Sequence, residues 1–178
     1  MKKFTIYAGM IAAVLAMLAA CGGGGGDSTP TASSAPVVNA SDKYVGTWGN
    51  CQASTNPANG LASVRIDIVF TKTTGTSMSL VMNGAGFSVP NCVAANQVSS
   101  TPSLATGTMT IDGSKVAGAD TVDLLSVVFA SATAPALNTS GKDIGLVSGN
   151  SLKFSATSVA DAQGYPTVID NALVFTKR

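Results

Sequence analysis

From Ser63 to Phe70 the chain sets Val64, Ile66, Ile68 and Phe70 between Ser63, Arg65 and Asp67. Successive side chains of a strand point to opposite faces, so this period of two gives one buried face and one face towards water. A helix would scatter the same residues around its circumference. Met78, Leu80 and Met82 repeat the alternation after Thr71-Lys72-Thr73-Thr74-Gly75-Thr76, and the two segments read as a hairpin. A second hairpin is predicted between residues 104–111 and about 120–130, with Asp112-Gly113 opening the connection, because Asp-Gly supplies the positive φ that tight turns need. A third joins residues 142–147 to 151–157 across Gly149-Asn150, and in the final segment, 171–177, Leu173 and Phe175 alternate with Ala172 and Val174. With a first strand around 44–52 there are about eight strands, most joined to their sequence neighbours by short turns. An open sheet of that kind leaves exposed edges, so the chain is expected to be all-β, an antiparallel up-and-down barrel of about eight strands. Asp161-Ala162-Gln163-Gly164-Tyr165-Pro166 reads as a loop at one end, since Pro166 cannot donate to a central ladder.

Composition agrees with that reading. Apolar residues make up 46% of the chain and charged ones 11%, the apolar residues beyond the first twenty falling in short runs broken by Gly, Ser, Thr, Asn and Asp. All nine acids are Asp, and His is absent. The missing Glu removes a common helix former, and the missing His removes the commonest general base and metal ligand. No cofactor or metal is expected. Beyond the first twenty residues eight Lys and Arg stand against nine Asp with no basic cluster among them, which argues against nucleic acid as a partner, because phosphate binding needs a clustered basic face.

Lys2 and Lys3 precede an apolar stretch from Phe4 to Ala20. A positive start, an apolar core and small residues at its end are the order of an export signal. The stretch is slightly short for a hydrocarbon core of ~30 Å, and five glycines with no stop-transfer charge follow it. Leu18-Ala19-Ala20-Cys21 resembles the lipobox of bacterial lipoproteins. The resemblance implies that residues 1–20 are removed, leaving 158 of the 178. It further implies that the Cys21 thiol carries a diacylglyceryl group and that the freed amine is acylated by a chain such as palmitate. At ~0.8 kcal/mol per buried CH₂ one chain binds a bilayer only marginally, whereas two or three hold firmly. Residue 22 is Gly, where Asp is the familiar signal of enteric lipoproteins for inner-membrane retention. The implied location is the cell envelope, on the outer membrane, with the membrane itself as partner. The stretch from Gly22 to about Ala40, GGGGGDSTPTASSAPVVNA, has no periodicity and too little apolar content to offset its ordering entropy. Residues 21–41 are therefore expected to form a lipidated, disordered tether with an r.m.s. span of about 25 Å, and residues 42–178 the barrel.

If Cys21 carries lipid, Cys51 and Cys92 remain as an even pair in an exported protein, and a disulfide between them is expected. It would tie the end of the first strand to the loop after Phe87. A catalytic thiol has no His to activate it.

Gly46-Thr47-Trp48 near the start of the first strand resembles the Gly-x-Trp signature of lipocalins and related calycins, in which the Trp packs across the closed end of an eight-stranded barrel. The family's later Thr-Asp and Arg motifs and its C-terminal helix have no counterpart. Gly-x-Trp followed closely by Cys51 is also similar to many uncharacterised proteobacterial lipoproteins.

Gly-x-Ser-x-Gly, Ser-x-x-Lys, Cys-x-x-Cys and the calcium-loop pattern do not occur, and no enzymatic activity is expected. Asp120 and Asp123, Asp67 beside Arg65, and Asp143 beside Lys142 are all read as solvent-facing. Two readings stay open. In one, the barrel interior, lined by Ile66, Ile68, Leu80, Met82, Leu124, Val128, Leu152 and Phe154, admits a small apolar ligand. In the other, the interior is solid and the outside or the loops meet an envelope protein or cell-wall material.

Overall fold

The computed structural model describes residues 38–55, 60–131, 139–156 and 159–178. The leader, Cys21 and most of the predicted tether lie outside these residues, as does Thr157. Eight strands follow one another: β1 (Gly46–Ala53), β2 (Ser63–Lys72), β3 (Ser77–Phe87), β4 (Gln97–Ala117), β5 (Asp120–Ala130), β6 (Thr139–Ser148), β7 (Ser151–Ser155) and β8 (Ile169–Lys177). Each pairs antiparallel with the next, and β1 pairs with β8, closing the barrel. The alternation in β2 and β3 works as expected. Ile68 faces Met82 and Phe70 faces Leu80 across the ladder, on the inner side.

One end is sealed by the segment before β1. A short 3-10 turn, Ala40–Lys43, is held to the β2–β3 connection by Ser41, whose N–H donates to the Gly75 carbonyl at 3.1 Å and whose hydroxyl donates to that of Thr74 at 2.9 Å. Tyr44, expected in the first strand, belongs to this turn instead and is fully buried in the core, edge-on to Phe70 with ring centroids 6.1 Å apart. Its backbone carbonyl accepts the Trp48 Nε1–H at 2.6 Å. Tyr44, Trp48, Met78, Leu125 and Leu152 are fully buried here, with Phe70, Leu80 and Met109 directly above them in the same cluster.

Asp112-Gly113 does not form the predicted turn. β4 passes through it with a bulge between Ile111 and Gly113 and turns only at Gly118-Ala119, where Gly118 takes φ +65°. A strand of 21 residues would be about 70 Å long if straight, so it must bend to stay in a closed wall, and a bulge supplies the bend. β4 also begins at Gln97, well before the expected Leu104. The loop around Asp161–Pro166 is not at an end of the barrel but folds back over the outer face. Tyr165 packs there with Val122, Ile144 and Ile169, its hydroxyl donates to Asp112 at 2.8 Å, and Lys115 pairs with Asp161 at 2.6 Å.

Cys51 points outward from β1, and its sulfur lies 2.01 Å from that of Cys92 in the loop after β3, a disulfide that clips this loop to the outer wall. The bond spans 41 residues, worth ~4 kcal/mol in the chain-entropy model. Replacing both cysteines by serine should lower the melting temperature by roughly 10–20 °C for a domain of this size, with the far-ultraviolet spectrum of the barrel preserved. A calorimetric shift below about 3 °C would contradict this role.

Candidate functional site

The interior above the sealed floor is hollow. A cavity of about 280 Å³ is lined by side chains from seven strands, β2 to β8, chiefly Ile68, Leu80, Met82, Phe129, Phe154 and Phe175. A second hollow of about 310 Å³, sharing Met82, Leu173 and Phe175, adjoins it towards the other end, where Asn50, Gln52 and Leu104 contribute. The walls are hydrophobic because the inward set on each strand is apolar. The space exists because these side chains meet across the floor but not above it. Ligand pockets commonly start near 300 Å³, so the two hollows together give room for a small molecule.

Six of the eight residues predicted to face the interior do so. Ile68, Leu80, Met82 and Phe154 line the cavity, Ile66 lines the upper hollow, and Leu152 is sealed in the floor. Leu124 and Val128 do not. Leu124 packs in the outer cluster with Tyr165, and Val128 is 50% exposed. The physical reason is the parity of β5. Leu124-Leu125 and Val127-Val128 offer an apolar residue to either face, and the set turned inward is Leu125, Val127 and Phe129 together with Asp123.

Asp123 was expected in solvent and is 7% exposed, whereas Asp120 is on the surface as expected. Tyr44 donates its hydroxyl to Asp123 Oδ2 at 2.5 Å, and Lys43 Nζ lies 2.8 Å from Oδ1 and 2.7 Å from Oδ2. The opposite residue on β6 is Gly145, and it has to be small: a Cβ there would sit 2.6 Å from the Tyr44 hydroxyl oxygen.

Asp143 is the second correction. It faces Leu125 across the β5–β6 ladder and therefore points inward, onto the cavity wall, while Lys142 stays outside, donating to the Gln163 carbonyl at 2.7 Å. Asp143 Oδ1 accepts the N–H of Ile144 at 2.7 Å and of Ser155 at 3.1 Å. The backbone ladder between β6 and β7 covers only three residue pairs, ending at Leu146 and Lys153. Past that point the Asp143 side chain stands in for it. Asp67 and Arg65 do face outward, but they are not solvated: their side chains are 16% and 15% exposed, paired with each other at 2.8 Å and, for Asp67, with Arg178 at 3.3 Å.

Asn50, Gln52 and Asp143 were missed as cavity residues. Their signal was available in parity alone, since Asn50 and Gln52 share the parity of Trp48, and Asp143 that of Val147. Chemically the site is an apolar container with one carboxylate on its wall. Among the described residues no group of three or more Cys or acidic side chains could hold a metal.

Burial keeps the Tyr44 hydroxyl protonated far above the usual phenol range, and the hydrogen bond and charge of Asp123 add to that, followed by the charge of Asp143. Unfolded tyrosine ionises near pH 10, so above that pH the unfolded chain binds fewer protons than the folded one and stability falls as pH rises. The contribution is intact below pH 10. Denaturant titrations at pH 9 to 11.5 should give a steeper loss for wild type than for Tyr44→Phe, by up to ~1.4 kcal/mol per pH unit, whereas equal slopes would contradict the burial of this hydroxyl. In comparisons with protein-family models, with curated proteins and with solved structures, nothing matches the chain.

Proposed function

We propose that this protein is a non-enzymatic lipoprotein of the bacterial cell envelope, anchored in the outer membrane through lipid on Cys21, and that its barrel holds a small apolar ligand. The observation that carries the ligand reading is the unfilled interior: about 280 Å³ bounded by large apolar side chains above a floor of fully buried ones. Such a volume forfeits dispersion contacts along its whole lining, and a hydrocarbon body restores them while leaving water. The Gly-x-Trp likeness supports the same reading. Trp48 is fully buried at the sealed end, and the ammonium of Lys177 sits 5.2 Å above its ring. The lipobox residues Leu18-Ala19-Ala20-Cys21 support the anchor, and the outer-membrane assignment rests on Gly22. With its floor sealed, the barrel would take a ligand from the end where Asn50, Gln52 and Leu104 stand.

Native mass spectrometry of the mature protein, purified from its own membrane and stripped of bulk lipid, should show a retained small molecule that denaturation releases. Met82→Trp, which fills the region shared by the two hollows, should reduce that occupancy at least tenfold with little change in melting temperature. Wild-type protein carrying no ligand, and failing to take up any apolar probe, would overturn the binding reading. For the anchor, Cys21→Ser should block cleavage of the leader by the lipoprotein signal peptidase, and normal maturation of that variant would overturn it.

A further inference from the structure

Among the described residues Asp143 is the one charged residue on the cavity wall. One of its oxygens is occupied by the two backbone N–H groups of Ile144 and Ser155, while Oδ2 accepts no hydrogen bond from any described residue. Nor does any ion pair among the described residues include it. The lysines beside it in the sheet are directed away. Lys142 reaches Gln163 and lies 4.3 Å over the Tyr165 ring on the outer face, and Lys153 donates to Asn171 Oδ1 at 2.8 Å. The other inward acid, Asp123, takes Lys43. Of the two inward carboxylates, Asp123 is thus paired with a half-exposed lysine, while Asp143 has no cation among the described residues.

A charge on an apolar wall is costly unless a partner compensates it; Asp143 is half-buried, and a ligand that filled the cavity would exclude water from Oδ2 and would have to supply that partner itself. We propose that the cavity takes a small amphiphilic amine, its hydrocarbon body against Met82, Phe129, Phe154 and Phe175 and its ammonium group donating to Asp143 Oδ2. This rests on the ligand-binding reading of the same cavity and adds to it the class of ligand. An alcohol would supply one donor but leave the charge uncompensated, and a fatty acid would bring a second negative charge against the first. A protonated amine supplies both the donors and the charge, and such charge-assisted hydrogen bonds are the stronger kind. At ~30 Å³ per water-sized unit, 280 Å³ holds about nine such units, the scale of a chain of eight carbons with its head group.

The test uses the chain from residue 21 onward carrying Cys21→Ser, so that no attached lipid competes, and three probes of equal chain length: octylamine, 1-octanol and octanoate. Isothermal titration at pH 7 should give one site per chain, octylamine binding at least tenfold tighter than octanol, and octanoate weakest. That ranking needs no variant. In Asp143→Asn the amide oxygen still accepts the Ile144 and Ser155 N–H groups while the charge is gone, and the preference for amine over alcohol should shrink to twofold or less. Equal binding of amine and alcohol to wild type, tightest binding of octanoate, or an amine preference that survives in Asp143→Asn would each overturn the ligand class while leaving the apolar-binding reading standing. Failure of all three probes to bind would overturn both.

Discussion

A carboxylate taken out of water must recover its solvation from partners, and Asp123 recovers it from two residues adjacent in sequence, Lys43 and Tyr44. Removing such a charge from water costs several kcal/mol, and the loss is tolerable only when its hydrogen bonds are well formed. Much of the barrel follows from satisfying it. Tyr44 reaches the carboxylate from the turn before β1, and its own carbonyl accepts the Trp48 Nε1–H. The turn Ala40–Lys43 is then fixed against the β2–β3 connection through Ser41. Gly145 follows as well, because the space a Cβ would need is taken by the Tyr44 hydroxyl and by Leu125 Cδ1 at 2.8 Å. One buried acid thus accounts for a sealed end and a small residue on a strand two along from β4.

Asp123 shares the inward face of β5 with Leu125, and the register with β6 puts Asp143 on that face as well. Stability is supplied from places that do not fill the cavity. The floor is packed solid, the Cys51–Cys92 bond and the Arg65–Asp67–Arg178 group hold the outer wall near β1 and β2, and Tyr165 with its neighbours covers the outside of β5 and β6. A barrel braced from below and from outside can keep an open interior. In a container supported in this way the wall residues are free to be chosen for what they hold, and Asp143 serves both ends: Oδ1 holds the β6 and β7 backbones together while Oδ2 is left to the cavity.

The barrel was legible because a period of two in β2, β3 and β8 and turn residues at regular intervals leave few alternatives for a chain of this size. The pairing of Cys51 with Cys92 was legible by counting. The errors have a common origin. Alternation identifies two faces but not which of them is inside, and β5 and β6 carry apolar residues on both because the loop bearing Tyr165 covers their outer side. Leu124 and Val128 were placed inside for that reason, and Asp123 and Asp143 outside. Long-range contacts made the difference: Lys43 meets Asp123 across 80 positions, and no local pattern announces it. Asp112-Gly113 misled in another way, since the same backbone freedom that suits a turn also suits a bulge in a strand that has to bend.

The central claim, a barrel solid at one end and hollow above it, is tested most directly by a crystal structure determined under xenon pressure. Xenon enters dry apolar cavities and reports their position without depending on any ligand's chemistry. The account predicts a strong xenon site among Met82, Phe129 and Phe154, and none among Tyr44, Trp48, Met78 and Leu152. Xenon absent from the upper interior, with side chains occupying the space, would contradict it, as would a site in the floor.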